Sequence, residues 1–121
     1  MKELLTELNK TPGLLGSAVL AHDGLLIASH ASTALQDQGI WQHALRAFQA
    51  FAALAQACGC GDVLSASLEW EQGKAVAKSI PQGVLLAAAD AACALGAVQV
   101  AVEQAAAAIA AAGVEEQHAT P

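Results

Sequence analysis

The chain has 121 residues, enough for one domain and not two. Hydrophobic residues make up 55% of it, which supplies a core and excludes global disorder. Five basic side chains against 11 acidic ones, a formal charge of -6, argue against nucleic acid, whose binders displace counterions with clustered cations, and against an anionic membrane surface.

Alanine fills about a quarter of the positions, so the core must be built by close approach of backbones around a few large anchors: Trp41, Trp70, Phe48 and Phe51. Residues 2–10 read as a short amphipathic helix with Leu4, Leu5 and Leu8 on one side, stopped by Thr11-Pro12-Gly13. Residues 17–22 and 25–29 are two apolar runs around Asp23-Gly24, which predicts a hairpin with a type I′ turn. Neither run alternates with polar residues, so the sheet they join is expected to be covered on both faces.

The longest helical pattern runs from Asp37, a candidate N-cap, to Cys58, with Gly59 as the stop. At about 100° per residue its large side chains Ile40, Trp41, Leu45, Phe48, Phe51 and Leu54 cover roughly half the circumference, wider than one packed face needs. This arc predicts two burial partners, the sheet and a second subunit. Gln42, Arg46, Gln49 and Gln56 hold the other half. Residues 63–70 and 74–80 predict a second hairpin, with Glu71-Gln72-Gly73 as its loop and Gly73 in the left-handed position. Pro81-Gln82-Gly83 turns into a central strand over 84–89. A final alanine-rich helix is expected over 95–112.

The apolar stretch 84–102 is read as that strand followed by the start of the helix, not as a membrane span. Asp90 lies within it, and an acid at mid-span costs on the order of 3 kcal/mol. The N-terminus, with Lys2, Glu3 and Glu7 around a short apolar run, does not read as a signal peptide. The expected fold class is α+β in the order α-β-β-α-β-β-β-α. It is one five-stranded antiparallel sheet with helices on both faces, the first and last helices together and the middle one alone. The domain is expected over residues 1–114, with a flexible polar tail at 115–121.

Few residues carry chemistry. Cys58, Cys60 and Cys93 are an odd set, and the close pair is separated by one residue instead of the two of common redox and zinc motifs. They read as buried or semi-buried free thiols in a reducing, cytoplasmic setting, without a metal. His22-Asp23 reads as turn chemistry, and His30, His43 and His118 are too dispersed for a metal. Ser65 and Ser67 read as small residues under a helix, and Glu69, Glu71, Lys74 and Lys78 as cross-strand charge pairing. Gly13, Gly16 and Gly24 lack the strand-to-helix loop and lysine of a phosphate cradle. No catalytic residue and no cofactor is expected.

Residues 11–20 (TPGLLGSAVL), 21–29 (AHDGLLIAS), 83–89 (GVLLAAA) and 94–98 (ALGAV), taken with the element order, resemble the Roadblock family. That family includes the dynein light chain Roadblock and bacterial MglB-like regulators of small GTPases, and the resemblance covers residues 3–112. It implies a Roadblock/profilin-like fold and a non-enzymatic homodimer whose sheets join edge to edge and whose middle helices pack together. The expected dimer interface is Trp41, Leu45, Phe48, Phe51, Leu64, Ala66 and Leu68. The paired helices would form a platform for a small Ras-like GTPase, with Gln42, Arg46, Gln49 and Gln56 as partner-binding residues. Arg46 is the only arginine and sits mid-helix, so any stimulation of a GTPase would act by reshaping the GTPase's own residues and not by an arginine finger. The alternatives are a scaffold subunit of a motor or signalling assembly, without effect on nucleotide turnover, and a profilin-like or PAS-like ligand sensor.

Overall fold

The computed structural model describes residues 1–31 and 39–119. The elements are α1 (Lys2–Leu8), β1 (Leu14–Leu20), β2 (Leu26–Ala31), α2 (Gly39–Ala57), β3 (Ser65–Trp70), β4 (Gly73–Ile80), β5 (Gly83–Ala89) and α3 (Leu95–Ala119). They form the expected α+β architecture, one antiparallel sheet in the order β2-β1-β5-β4-β3. The segment that holds α2 carries the chain from the β2 edge to the β3 edge. The return through β4 and β5 then puts β5 at the centre, beside β1, as its uninterrupted apolar sequence predicts.

Alternation along each strand splits the core in two. Leu5 and Leu8 of α1 meet Val98, Val102, Ala106 and Ile109 of α3 over Val19, Val76, Leu85 and Ala87. On the opposite face Trp41, Leu45 and Phe48 of α2 meet Ala18, Leu20, Ala77, Val84 and Leu86. The spacing of Val98, Val102, Ala106 and Ile109 is the i, i+4, i+8, i+11 stripe of one helix face. By length and composition α3 is apolar enough to cross a membrane, with mean hydropathy 1.5 over Leu95–Ala112. Here that stripe is the packed side of a core helix. Helix α3 runs past the expected stop at 112, to Ala119.

Local chemistry corrects several expectations. The first hairpin is not type I′. Gly24 N–H donates to the Ala21 carbonyl at 2.9 Å, Ala21 N–H to the Leu25 carbonyl at 2.8 Å, and only Gly24, at φ 94°, is left-handed. This is a type I turn closed by a left-handed glycine, which asks nothing unusual of Asp23. Asp23 Oδ1 instead accepts from the Leu25 N–H at 3.1 Å. Gly73 is not left-handed either. It pairs with Trp70 and opens β4, so Glu71-Gln72 alone is the loop. Gly83 is the glycine that the backbone requires: its φ is 151°, and a Cβ there would lie 1.9 Å from the Leu20 carbonyl oxygen.

At the other end of α2 the expected stop holds. Gly59 is left-handed at φ 70°, Cys60 N–H donates to the Ala55 carbonyl at 2.8 Å and Gly59 N–H to that of Gln56 at 3.0 Å, a Schellman cap. The candidate N-cap Asp37 lies outside the described residues. Asn9, just past α1, ties that helix to the sheet. Its Nδ2 donates to the His30 carbonyl at 3.0 Å, and its Oδ1 accepts from the fully buried Ser17 hydroxyl at 2.7 Å.

Candidate interaction site

Helix α2 is seated over β1 and the central strand β5, which leaves β4 and β3 to one side of it. Its 100° rotation per residue therefore gives it three flanks. Trp41, Leu45 and Phe48 point into the sheet, with 3%, 3% and 7% of their surface exposed. Ile40, Ala44, Ala47, Phe51 and Leu54 point along the sheet toward β4 and β3. Gln42, Arg46 and Gln49 point the other way, toward the β1–β2 hairpin.

The second flank overlooks bare sheet. The β3 register pairs Ala66 with Ala77 and Leu68 with Ala75, so Ala66, Leu68 and Trp70 share the α2 face. No element of the chain covers them there among the described residues. The result is an apolar groove of about 430 Å³ between α2 and β3, lined by Ile40, Ala44 and Phe51 on one wall and Ala66, Leu68 and Trp70 on the other. Around it Phe51 is 44% exposed, Leu54 58%, Trp70 58% and Leu64 70%. β3 is also a sheet edge, with unpaired backbone groups along its outer side. Exposed apolar side chains that adjoin one another and an open edge mark an association surface.

The expected interface residues divide accordingly. Phe51, Leu64 and Leu68 are exposed and Ala66 is half-buried, all beside the groove or at the start of the edge. Trp41, Leu45 and Phe48 are buried in the chain's own core. A helix that packs on its own sheet must use its most central apolar residues for that contact, and of these three Trp41 and Phe48 also reach the groove. Ile40, Leu54 and Trp70 are further exposed apolar side chains on this side of the molecule. The first two were legible as members of the wide apolar arc, and Trp70 as the alternate-position neighbour of Leu68 and Ala66.

The polar flank is open. Arg46 and Gln49 are exposed and Gln42 is half-buried. Gln49 Nε2 donates to the His22 carbonyl at 3.4 Å, which brings the hairpin tip, with Leu25 66% exposed, alongside the stripe. Gln56 is set apart: its Nε2 donates to Asp62 Oδ1 at 2.9 Å and ties the end of α2 to the following loop.

Other candidates fall into structural places. His43 lines the groove and His30 is held in the Asn9 contact. Ser65 and Ser67 are exposed on the edge strand, not packed under a helix, and Ser67 accepts from Gln99 Nε2 at 3.0 Å. Glu69 and Lys74 face each other in register, yet Lys74 turns to the Cys93 carbonyl and Lys78 pairs with Glu103 at 3.2 Å. Lys78 ties α3 to the sheet and Lys74 the turn that precedes it. Cys93 is buried as expected, but Cys58 and Cys60 are exposed, because they flank the helix cap at a surface turn. Among the described residues no three His, Cys, Asp or Glu side chains gather as metal ligands.

No protein-family model matches the chain. It is 34% identical over 103 residues to the uncharacterised protein MJ0310 of Methanocaldococcus jannaschii, covering 85% of this chain and 90% of that one. Among solved structures it is similar to Myxococcus xanthus MglB, with a TM-score of 0.84 and 17% identity over 94% of each chain. It is also similar to the Roadblock/LC7 domain from Streptomyces avermitilis, with a TM-score of 0.72 and 16% identity over 90% of this chain and 93% of that one. The fold is the Roadblock fold. The chain belongs to the same protein family as MJ0310.

Proposed function

We propose that the chain is a non-catalytic, cytoplasmic interaction module. It dimerises through the α2–β3 groove and presents the polar flank of α2 to a small Ras-like GTPase, whose nucleotide cycle it regulates. The observation that carries this reading is the division of α2 into a core flank, an uncovered apolar flank and a polar flank. A second copy related by a two-fold axis is a fitting cover, because the groove and the β3 edge are adjacent and self-complementary contacts close without leaving an open end. The GTPase enters through the resemblance to MglB-like regulators, and the polar flank is the surface that self-association leaves free. Its stripe carries one full charge, Arg46, so docking desolvates little, and arginine is enriched at interface hot spots.

The groove also favours a second reading. Its volume falls in the range of small-molecule sites, as in a ligand sensor. It is an open trough with His43 as its only ionisable wall among the described residues, which suits a protein surface better than a ligand that must be oriented. Light scattering at micromolar concentration tests the first step, and a dimer mass is expected. A pull-down against cellular proteins with identification by mass spectrometry tests the second, with a small GTPase expected as the retained partner.

A further inference from the structure

We propose that Cys58 and Cys60 form a redox site. A small-molecule disulfide of the glutathione class converts this exposed dithiol into an internal disulfide, and the conversion loosens the last turn of α2. Both thiols are exposed, whereas Cys93, the other cysteine, is buried. The Cys60 thiol is turned back over residue 58, with Sγ 3.9 Å from the Cys58 carbonyl oxygen. Between them Gly59 is left-handed at φ 70°, and the place its Cβ would take has no heavy atom within 4 Å.

The chemistry balances. One thiolate attacks the small disulfide, expels one thiol and leaves a mixed disulfide on the protein. The other protein thiolate attacks that protein sulfur and expels the second thiol. The dithiol is oxidised by two electrons, and the small disulfide is reduced to two thiols. The second step is intramolecular between residues two apart, so it outruns capture of a second small molecule.

The coupling to structure comes from the cap. Cys58 N–H donates to the Leu54 carbonyl at 3.0 Å, and the two Schellman bonds end on Gly59 and Cys60. Drawing Cys60 toward Cys58 changes the dihedral angles on which those bonds depend. Oxidation then frees the carbonyls of the turn that carries Leu54.

The test uses the intact protein in glutathione buffers of stepped ratio, quenched with N-ethylmaleimide, digested and weighed. Oxidation is expected to lighten the peptide holding residues 58 and 60 by two hydrogens with no adduct, while Cys93 reacts only after denaturation. Amide exchange at residues 58–60 is expected to speed up at least about tenfold in the oxidised form, since local opening sets that rate. Cys60→Ser is expected to stop at a single glutathione adduct on Cys58. Adducts on both thiols of the unaltered protein, intermolecular disulfides, absence of reaction, or a closed disulfide with unchanged exchange would each overturn the proposal.

Discussion

Phe51→Ala separates the assembly surface from the core on a single helix. Phe51 is 44% exposed and lines the groove, so the wild-type monomer keeps much of this ring in water. A phenylalanine presents about 200 Å², which leaves on the order of 90 Å² for a partner to cover. At about 25 cal/mol per Å², and with alanine retaining part of the contact, truncation costs about 1.5 kcal/mol per copy. A two-fold interface contains the residue twice, so the dimer loses about 3 kcal/mol, on the order of a hundredfold in Kd. The remaining roughly 110 Å² is covered by the chain itself, so the monomer also loses about 2 kcal/mol of folding stability, and the dilution series is read on protein shown to be folded. Phe48→Ala, one turn earlier and 7% exposed, is the internal control. It should lower folding stability by about 3–5 kcal/mol through the cavity it leaves. A dilution series by light scattering or analytical ultracentrifugation reads the first effect and denaturant unfolding the second. If wild-type and Phe51→Ala proteins gave one dissociation curve, or if the wild type were a monomer at micromolar concentration, the groove would not be the assembly surface.

Arg46→Glu should weaken binding of the identified GTPase at least about tenfold, or about 1.4 kcal/mol, with the dimer intact; calorimetry beside mass measurement checks both. Unchanged affinity would move the partner's site to the loops or to α1 and α3. Gly83→Ala should cost about 3 kcal/mol or more in denaturant unfolding, because its Cβ meets the Leu20 carbonyl oxygen at 1.9 Å, a backbone atom that cannot step aside. Cys58, Cys60 and Cys93 changed together to Ala should leave assembly and partner affinity largely intact in reducing buffer. Stoichiometric zinc in the wild type that disappears from this variant would show a structural metal instead.

Much of the fold was legible in the chain because its signals are local. Leu5 and Leu8, the apolar runs around Asp23-Gly24, the stop at Gly59 and the alanine-rich run of the last helix each state an element within a few residues, whereas the stripe from Val98 to Ile109 emerged only from its packing. The central place of β5 followed from a sequence without polar alternation. The element order followed from these pieces, whereas the strand order β2-β1-β5-β4-β3 came only with the structure. Turn types were less legible. Gly24, Gly73 and Gly83 look alike in sequence, yet only backbone geometry shows that one closes a type I turn, one begins a strand and one lies under a carbonyl.

The site divides the same way. The sequence by itself determined that α2 carries more apolar surface than one packed face can use, and that Gln42, Arg46 and Gln49 line its polar side. Only the tertiary structure decided that Trp41, Leu45 and Phe48 serve the core while Ile40, Phe51 and Leu54 overlook an uncovered groove. It alone placed Trp70 opposite them, and it alone exposed Cys58 and Cys60 while burying Cys93. The reason is that hydrophobic burial is non-directional. A pattern states which side chains leave water, but the neighbour that covers each one is fixed by where the helix is seated, and that depends on strands distant in sequence.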